Sequence, residues 1–189
     1  YGLIVDPQTG RRFVNELTDR KRLSDALFAC GHPCIGIADA AAVESSGWDI
    51  TPALRTGVVR QFDSLEQLAA GYGIPAAVLQ ESVGQYNRYV GDGVDREFGK
   101  QILSDAVSIT KPPFHAIRLW PKVHHVSGGI GIDEQARVLD TDGIPIRGVY
   151  AAGEIAGGIH GANRLGSCAI TECLVFGRIA GRNCAAELS

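Results

Sequence analysis

The chain has 189 residues and a hydrophobic content of 45%, which is enough for one or two domains with a sizeable apolar core. Its formal charge of −3 provides no basic surface for nucleic acid, so we expect no nucleic-acid partner. No stretch reaches the run of about 18 apolar residues that a membrane-spanning helix needs, and the first residues lack the pattern of a signal peptide.

The five cysteines do not suggest a metal site. They form neither the closely spaced doublets of a zinc site nor the CxxCH motif of a haem attachment site. The segment Cys30-Gly-His-Pro-Cys34 could be a redox or metal element, but no second pair of ligands accompanies it. We therefore expect ordinary buried or loop thiols.

The first 29 residues predict a hairpin followed by a helix. Residues 1–16 have the pattern of a strand, a turn and a second strand. Leu17–Ala29 follows with helical spacing and with Thr18 or Asp19 as its N-cap. Arg20 falls in the first turn of this helix. By residue type alone it is a solvated basic side chain in a run of similar residues, namely Arg11, Arg12, Lys21 and Arg22.

Residues 31–111 carry three predicted elements and a connector. Ile35–Asp39 is strand-like and leads into a loop rich in Gly, Trp, Asp and Pro. Ser64–Gly71 opens with the SxxQ pattern of a capping box, which predicts a short helix. Pro75–Val90 has an apolar stripe at helical spacing. Residues 91–111 are polar and interrupted by glycine, which is typical of a connector.

The next segment predicts strands and a hairpin. Alternating apolar residues in Phe114–Ile132 indicate strands that run into a glycine turn. His124 and His125 stand just before that turn, and by residue type alone an exposed polar pair is as good an interpretation as a functional one. Asp133–Gly148 predicts a β-hairpin that turns at Asp140–Gly143.

Gly148–Ala185 combines a short apolar strand, a glycine-rich loop and a helical pattern. The glycines allow positive φ or the close approach of a flat ligand. Ser167 is the predicted N-cap, and the helix after it is expected to bury Ile170, Leu174 and Ile179. Because the free N–H groups of a helix N-terminus suit an anionic or electron-rich edge, a nucleotide or flavin ring would fit here.

Three stretches resemble one known family. The run AAGEIAGGIHGANRLGSCAI, residues 151–170, closely resembles the C-terminal signature of the fumarate reductase and succinate dehydrogenase flavoproteins, above all of their soluble flavocytochrome c and fumarate reductase branch. The run GRRFVNELTDRKRLSDAL, residues 10–27, resembles the family segment that leads to an active-site arginine. HHVSGG, residues 124–129, resembles the family's His-x-x-x-Gly-Gly loop.

The resemblance implies roles for eight residues. Arg20 takes the place of the family's proton donor. Residues that would bind or adjoin the substrate are His124, Arg164 and Ser167. Residues that would contact the flavin, the last two through their backbone N–H groups, are His125, Glu154, Ala169 and Ile170.

The resemblance also implies a fold and a reaction. The fold is α/β (α+β), with residues 1–112 as part of an inserted α+β capping domain for the substrate and residues 113–189 as the C-terminal part of a Rossmann-like FAD-binding domain. The reaction is reduction of the C=C bond of an unsaturated carboxylate such as fumarate, by hydride from flavin N5 and a proton from an arginine. The family's GxGxxG dinucleotide loop is not found, so we expect this chain to be about the last third of a flavoprotein whose N-terminal part binds the rest of FAD. The electron donor is not indicated.

Two departures from the family pattern leave the substrate open. Val126-Ser127 stands in place of Thr-Met, and Ser167-Cys168 in place of Gly-Asn or Ser-Asn. Related enzymes acting on succinate or a urocanate-like acid are therefore alternatives, whereas the retained Arg20, His124 and Arg164 argue against a steroid substrate. A further alternative is a degenerate flavin-domain module without activity of its own.

Overall fold

The computed structural model describes residues 2–161 and 163–187. Tyr1, which opens the predicted hairpin, and Ala162, within the glycine-rich motif, lie outside the described residues. The chain forms two compact units, Tyr1–Pro121 and Lys122–Ser189. The first is a sheet with helices, and the second is a hairpin with one long helix.

The first unit is built on an antiparallel sheet. Its strands are β1 (Leu3–Val5), β2 (Cys34–Ala38), β3 (Val59–Phe62) and β4 (Phe114–Leu119). They are arranged in the order β1-β2-β4-β3, so that Ile35 of β2 faces Val5 on one side and Arg118 on the other. The predicted hairpin of residues 1–16 is confirmed only in part, because its second arm is reduced to one bridge between Val5 and Arg12.

Helices pack on both faces of this sheet. They are α1 (Arg20–Cys30), α2 (Ala40–Ser46), α3 (Thr51–Arg55), α4 (Leu65–Tyr72) and α5 (Ala76–Asp92). The core on one face joins the sheet to α4 and α5, and its most buried members include Leu3, Val5, Ile35, Leu68 and Leu79. On the other face, a smaller cluster joins Leu27 of α1 to Ile4 of β1 and Cys34 of β2.

The predicted helices α1, α4 and α5 are confirmed, and two of them begin at side-chain caps. Asp19 accepts the backbone N–H of Arg22, and Ser64 accepts that of Gln67. Each cap satisfies a helix N–H that has no partner within its own helix.

Three short elements were not predicted, namely α2, α3 and β3. The first of them depends on Asp39, whose fully buried carboxylate caps α2 through the N–H of Ala42. Its other oxygen accepts the N–H groups of Thr110 and Lys111 at 2.9 Å, about 70 residues further along the chain. The sequence indicated a loop here because five to seven residues carry too little periodicity to indicate a helix.

The boundary between the units differs from the sequence-based one near residue 112. β4 pairs with both β2 and β3, so residues 114–119 belong to the first sheet. The division falls between Pro121 and Lys122. The interpretation of the two parts as a capping portion and a flavin-binding portion stays a prediction.

The second unit contains the predicted hairpin. Its strands are β5 (Arg137–Leu139) and β6 (Pro145–Tyr150), which pair antiparallel. The turn is closed by the N–H of Gly143, which donates to the carbonyl of Asp140, and by the Asp140 carboxylate, which accepts the N–H of Ile144 at 2.8 Å. The hairpin and its turn are therefore confirmed.

The last described element is α6 (Cys168–Glu187). The helix was expected, but its predicted buried stripe was wrong: Ile170 is 72% exposed and Leu174 is 69% exposed. The residue that α6 buries is Glu172. The apolar spacing is present, but the described residues do not cover that face. In the described part of the chain, no helix is long and apolar enough to cross a membrane.

Candidate functional site

Two motif loops of the second unit lie side by side. The N–H of Ile130 donates to the carbonyl of Ile155 at 2.9 Å, and the N–H of Gly157 donates to the carbonyl of Ile130 at 3.0 Å. The loops approach so closely that a Cβ on Gly129 would lie 2.0 Å from the Ile155 oxygen, and a Cβ on Gly157 would lie 2.6 Å from the Gly129 nitrogen. These two glycines are therefore required by loop-to-loop packing rather than by positive φ.

Glu154 connects the same loops through its side chain. Its Oε1 accepts the backbone N–H of Val126 at 2.9 Å, and its Oε2 lies 3.5 Å from Nδ1 of His125. About half of the Glu154 side chain stays exposed, while the His125 side chain is nearly buried. The structure thus brings together two of the predicted flavin-contacting residues.

A second histidine–carboxylate pair adjoins the first. His160 Nε2 lies 3.2 Å from Oε2 of Glu172, a buried residue of α6. The rings of His160 and His125 meet edge to face, with centroids 6.2 Å apart. Sequence reasoning assigned no role to His160 and missed Glu172. The only signal for Glu172 was an acidic residue within an apolar helical stripe.

Three buried polar atoms in this region lack a hydrogen-bond partner among the described residues. They are His125 Nε2, Arg164 Nε and Glu172 Oε1. Buried polar atoms in folded proteins are nearly always hydrogen-bonded, so these three atoms have hydrogen-bonding capacity left for a further group.

The other predicted residues of the second unit are arranged around the start of α6. Arg164 is half-buried and donates from Nη1 to the carbonyl of Leu165 at 3.0 Å. Ala169 and Ile170 lie in the first turn of α6, where backbone N–H groups have no partner within the helix. His124 is exposed, and the structure gives it no hydrogen bond or ion pair within residues 2–161 and 163–187.

Ser167 directly precedes α6, but the predicted N-cap conformation was wrong. An N-cap residue has extended backbone angles, whereas Ser167 has a φ of +68°. Its side chain is exposed beside the first turn of the helix. The left-handed backbone makes it a turn residue rather than a cap.

Arg20 lies in the first unit, as the first residue of α1. Its side chain is exposed, and among the described residues no carboxylate forms an ion pair with it. Arg22, two residues further along, lies 3.4 Å from the Asp19 carboxylate. The two neighbouring arginines therefore differ in their surroundings.

The first unit also contains a buried ionic cluster that the sequence did not reveal. Arg12, expected among solvated basic residues, has a side chain that is only 1% exposed. It donates to both oxygens of Glu16, at 2.9 and 2.8 Å, and to Asp95 at 2.8 Å. Lys100 lies 3.3 Å from Glu16. The cluster fastens the segment before α1 to the segment after α5.

Burial and hydrogen bonding act in opposite directions on the pKa of Asp95. Burial raises this pKa, but hydrogen bonds from Arg12 and from the N–H groups of Phe98 and Glu97 outweigh it. The pKa of Asp95 is therefore lowered from its ordinary value of 3.8. Asp95 is therefore ionised at neutral pH, where it accepts the hydrogen bond from Arg12.

The cysteine pair of the first unit consists of the half-buried Cys30 and the buried Cys34, both as free thiols. No group of three or more His, Cys, Asp or Glu residues in the described ranges is arranged to hold a metal ion. Burial, together with the neighbouring Cys30, raises the pKa of the Cys34 thiol to about 12. Such a thiol is almost entirely protonated at neutral pH and is a poor nucleophile.

An apolar cleft of about 330 Å³ lies on the sheet of the first unit. Its lining includes Ile4, Gly36, His115 and Ile117. None of the residues predicted to bind substrate or cofactor lines it.

Comparison with known proteins identifies close relatives over nearly the whole chain. A family model described as an FAD binding domain matches residues 2–170. The chain is 41% identical over 188 residues to the acrylate reductase flavoprotein subunit of Shewanella woodyi, covering 96% of this chain and 37% of that protein. It is 40% identical over 185 residues to a fumarate reductase (cytochrome) of Shewanella frigidimarina, covering 97% of this chain and 32% of the relative.

A solved structure matches as well. The open conformation of a flavocytochrome c3 fumarate reductase has a TM-score of 0.72 and 36% identity, over 98% of this chain and 32% of that chain. The chain therefore spans about a third of the length of these proteins.

Proposed function

The chain belongs to the FAD binding domain family of the fumarate reductase flavoproteins, and on this basis we propose that it forms part of an FAD-dependent oxidoreductase. The reaction is reduction of the C=C bond of a short unsaturated carboxylate such as fumarate. The first unit, up to Pro121, is part of the capping domain, and the second unit, from Lys122, is the end of the FAD-binding domain. The remainder of the FAD site belongs to the part of such proteins that this chain does not span.

The observation that carries this proposal is the pairing of the two motif loops through Glu154 and Val126. A ligand-binding loop needs support from its neighbours to keep its geometry. Here the loop that contains His124 and His125 is held by the loop that contains Glu154, and both precede the N-terminus of α6. The motif residues of the second unit are therefore parts of one local structure.

The residues present fit a flavin. His125 Nε2 is a buried atom without a hydrogen-bond partner among the described residues. Glu154 keeps half its surface exposed, and each carboxylate oxygen can accept a further hydrogen bond from a ribose hydroxyl. FAD would be held by His125, Glu154 and the free N–H groups of Ala169 and Ile170. When bound, FAD supplies the hydride for the alkene.

The substrate carboxylate is bound by His124 and Arg164, with Ser167 beside them. Arginine binds a carboxylate through two parallel N–H donors, which fixes the plane of the acid and withdraws electron density from the adjacent double bond. Arg20 delivers the proton to the second alkene carbon. A guanidinium releases a proton only to a strong base, and a carbon that has gained negative charge next to a carboxylate is such a base.

A monocarboxylate such as acrylate is a second candidate. Val126 stands where fumarate reductases commonly have threonine, and its apolar side chain is more than half exposed within the histidine loop. An apolar side chain suits a substrate end without a second carboxylate, because burying an unpaired charge beside it is costly.

Anaerobic flavin spectroscopy tests the proposal. The flavoprotein that contains this chain is reduced with dithionite, and fumarate, acrylate, urocanate or succinate is added separately. We expect oxidised-flavin absorbance to return with fumarate or acrylate and not with the saturated acid succinate. Return with urocanate alone would assign the alternative substrate. Absence of bound flavin, or bound flavin that none of the unsaturated acids oxidises, would overturn the proposal and favour a non-catalytic module.

A further inference from the structure

We propose that Glu172 is a positioning residue for the histidine loop, residues 124–129, and that it acts through His160. The inference rests on the proposed function, because the loop that Glu172 would position contains His124, which we propose to bind the substrate. None of the family motifs quoted above contains Glu172, which follows the last of them on α6. Its role follows from three contacts in the second unit.

The first contact fixes His160. A carboxylate can only accept hydrogen bonds, so the 3.2 Å contact between Glu172 Oε2 and His160 Nε2 places a proton on Nε2. The Glu172 side chain is 3% exposed, and the His160 side chain is nearly buried as well. A buried bond of this kind holds the imidazole ring in one orientation.

In the second contact, the fixed ring of His160 packs against the ring of His125 and so restricts its orientation. The ring of His160 meets the ring of His125 edge to face, at an interplanar angle of 67° and a centroid distance of 6.2 Å. Such pairs are favourable and directional. The third contact lies on the His125 Nδ1 side, where the Glu154 carboxylate is found. His125 is therefore held between His160 and Glu154. Because His124 is the adjacent residue, its backbone is positioned by the same contacts.

The burial of Glu172 is not explained by stability. Helix α6 leaves the apolar Ile170 and Leu174 exposed and buries a carboxylate instead. One oxygen of that carboxylate has no partner among the described residues. A half-satisfied buried carboxylate costs free energy that an apolar side chain of the same size does not cost. Its presence is explained if it serves the site.

Two variants of the flavoprotein distinguish an effect on the position of the histidine loop from an effect on folding. Glu172→Leu removes the bond to His160 and leaves Nε2 of that ring without its partner, but it also fills the buried space, so we expect a folded protein with a modest change in Tm. Glu172→Gln keeps an oxygen that accepts from His160. Binding of the unsaturated acid is measured by titrating the change in absorbance of the oxidised flavin, and the ring ¹⁵N signals of His160 and His125 are measured without turnover.

We expect about tenfold weaker acid binding in Glu172→Leu, which corresponds to the loss of one hydrogen bond to a charged group. The ring signals of His160 and His125 shift, and Glu172→Gln restores most of the affinity. Glu187→Gln, a change to the acid that accepts from Tyr150 near the end of the same helix, is the control and leaves affinity unchanged.

Should Glu172→Leu fail to fold, the double variant Glu172→Leu/His160→Phe keeps the edge contact with His125 and leaves neither partner of the lost bond buried and unpaired. We expect it to weaken acid binding as well. Wild-type affinity and unshifted His125 signals in either folded variant would overturn the inference. A wild-type protein that binds no flavin or no unsaturated acid would instead overturn the proposed function, so the two failures are distinguishable.

Discussion

The backbone N–H of Val126 donates to the carboxylate of Glu154 across 28 residues of sequence, at 2.9 Å. This bond and the contact of the same carboxylate with His125 hold the histidine loop against the glycine-rich loop. Glu154 therefore has a structural task in addition to the cofactor contact that we propose for it.

Replacing Glu154 with alanine is expected to weaken the binding of both FAD and the substrate. The lost hydrogen bond is worth about 1 kcal/mol at a half-exposed site, or roughly a fivefold weaker Kd for FAD. Glu134→Ala removes an exposed acid from the same unit and is the matched control. The ratio of flavin to protein after dialysis measures the effect. Equal flavin retention in the two variants would contradict this role of Glu154.

Gly129 and Gly128 are adjacent but are expected to respond differently to alanine. At Gly129 the new Cβ meets the Ile155 carbonyl oxygen at 2.0 Å, whereas at Gly128 its nearest neighbour is a Val126 methyl at 4.0 Å. Overpacking of this kind costs about 1–3 kcal/mol. Gly129→Ala should lower both Tm and flavin content, and Gly128→Ala should change neither. A Gly129→Ala protein that matches the wild type would show that the loops are not closely packed.

The ionic cluster of the first unit gives a second matched pair, Arg12 and Arg11. Arg12→Met leaves Asp95 buried without its cation and leaves Glu16 with Lys100 alone, which is expected to destabilise the protein by about 3–5 kcal/mol. Arg11→Met removes an exposed pair with Glu81, which is worth less than about 1 kcal/mol. Urea or thermal unfolding measures both. Similar stability in the two variants would mean that the cluster does not form.

The pH dependence of stability follows from Asp95. Its folded pKa is lowered below the ordinary 3.8, so the unfolded chain binds the proton more readily. Its contribution is therefore present at neutral pH and is lost as the pH falls from about 5 through the folded pKa. Asp95→Asn should flatten the loss of Tm between pH 5 and pH 3, both approximate limits of the range in which such carboxylates titrate. An unchanged slope would show that Asp95 does not titrate as inferred.

Local signals explain what could be predicted. The caps at Asp19 and Ser64, the long stripe of α5 and the Asp140–Gly143 turn are all encoded within a few residues, and the structure has each of them. The family motifs are local as well, and the structure places two of their loops side by side.

Long-range contacts explain what could not be predicted. Arg12 and Asp95 are 83 residues apart, and nothing local distinguishes Arg12 from the exposed Arg11 beside it. Glu172 looked like a polar interruption of an apolar stripe, because its partner His160 lies on the preceding loop. The exposure of Ile170 shows a limit of periodicity as a predictor of burial. Periodicity identifies an apolar face of a helix but not whether another element covers it.

The most direct test of the central claim compares Arg20 with Arg22 on the same helix. The reduced flavoprotein is mixed anaerobically with its unsaturated acid, and the return of flavin absorbance is followed in the wild type, Arg20→Ala and Arg22→Ala. We predict full flavin content in all three, wild-type rates in Arg22→Ala, and a rate lower by about 10²–10⁴-fold in Arg20→Ala, as expected for a lost proton donor. An Arg20→Ala protein that reoxidises at the wild-type rate would contradict the account.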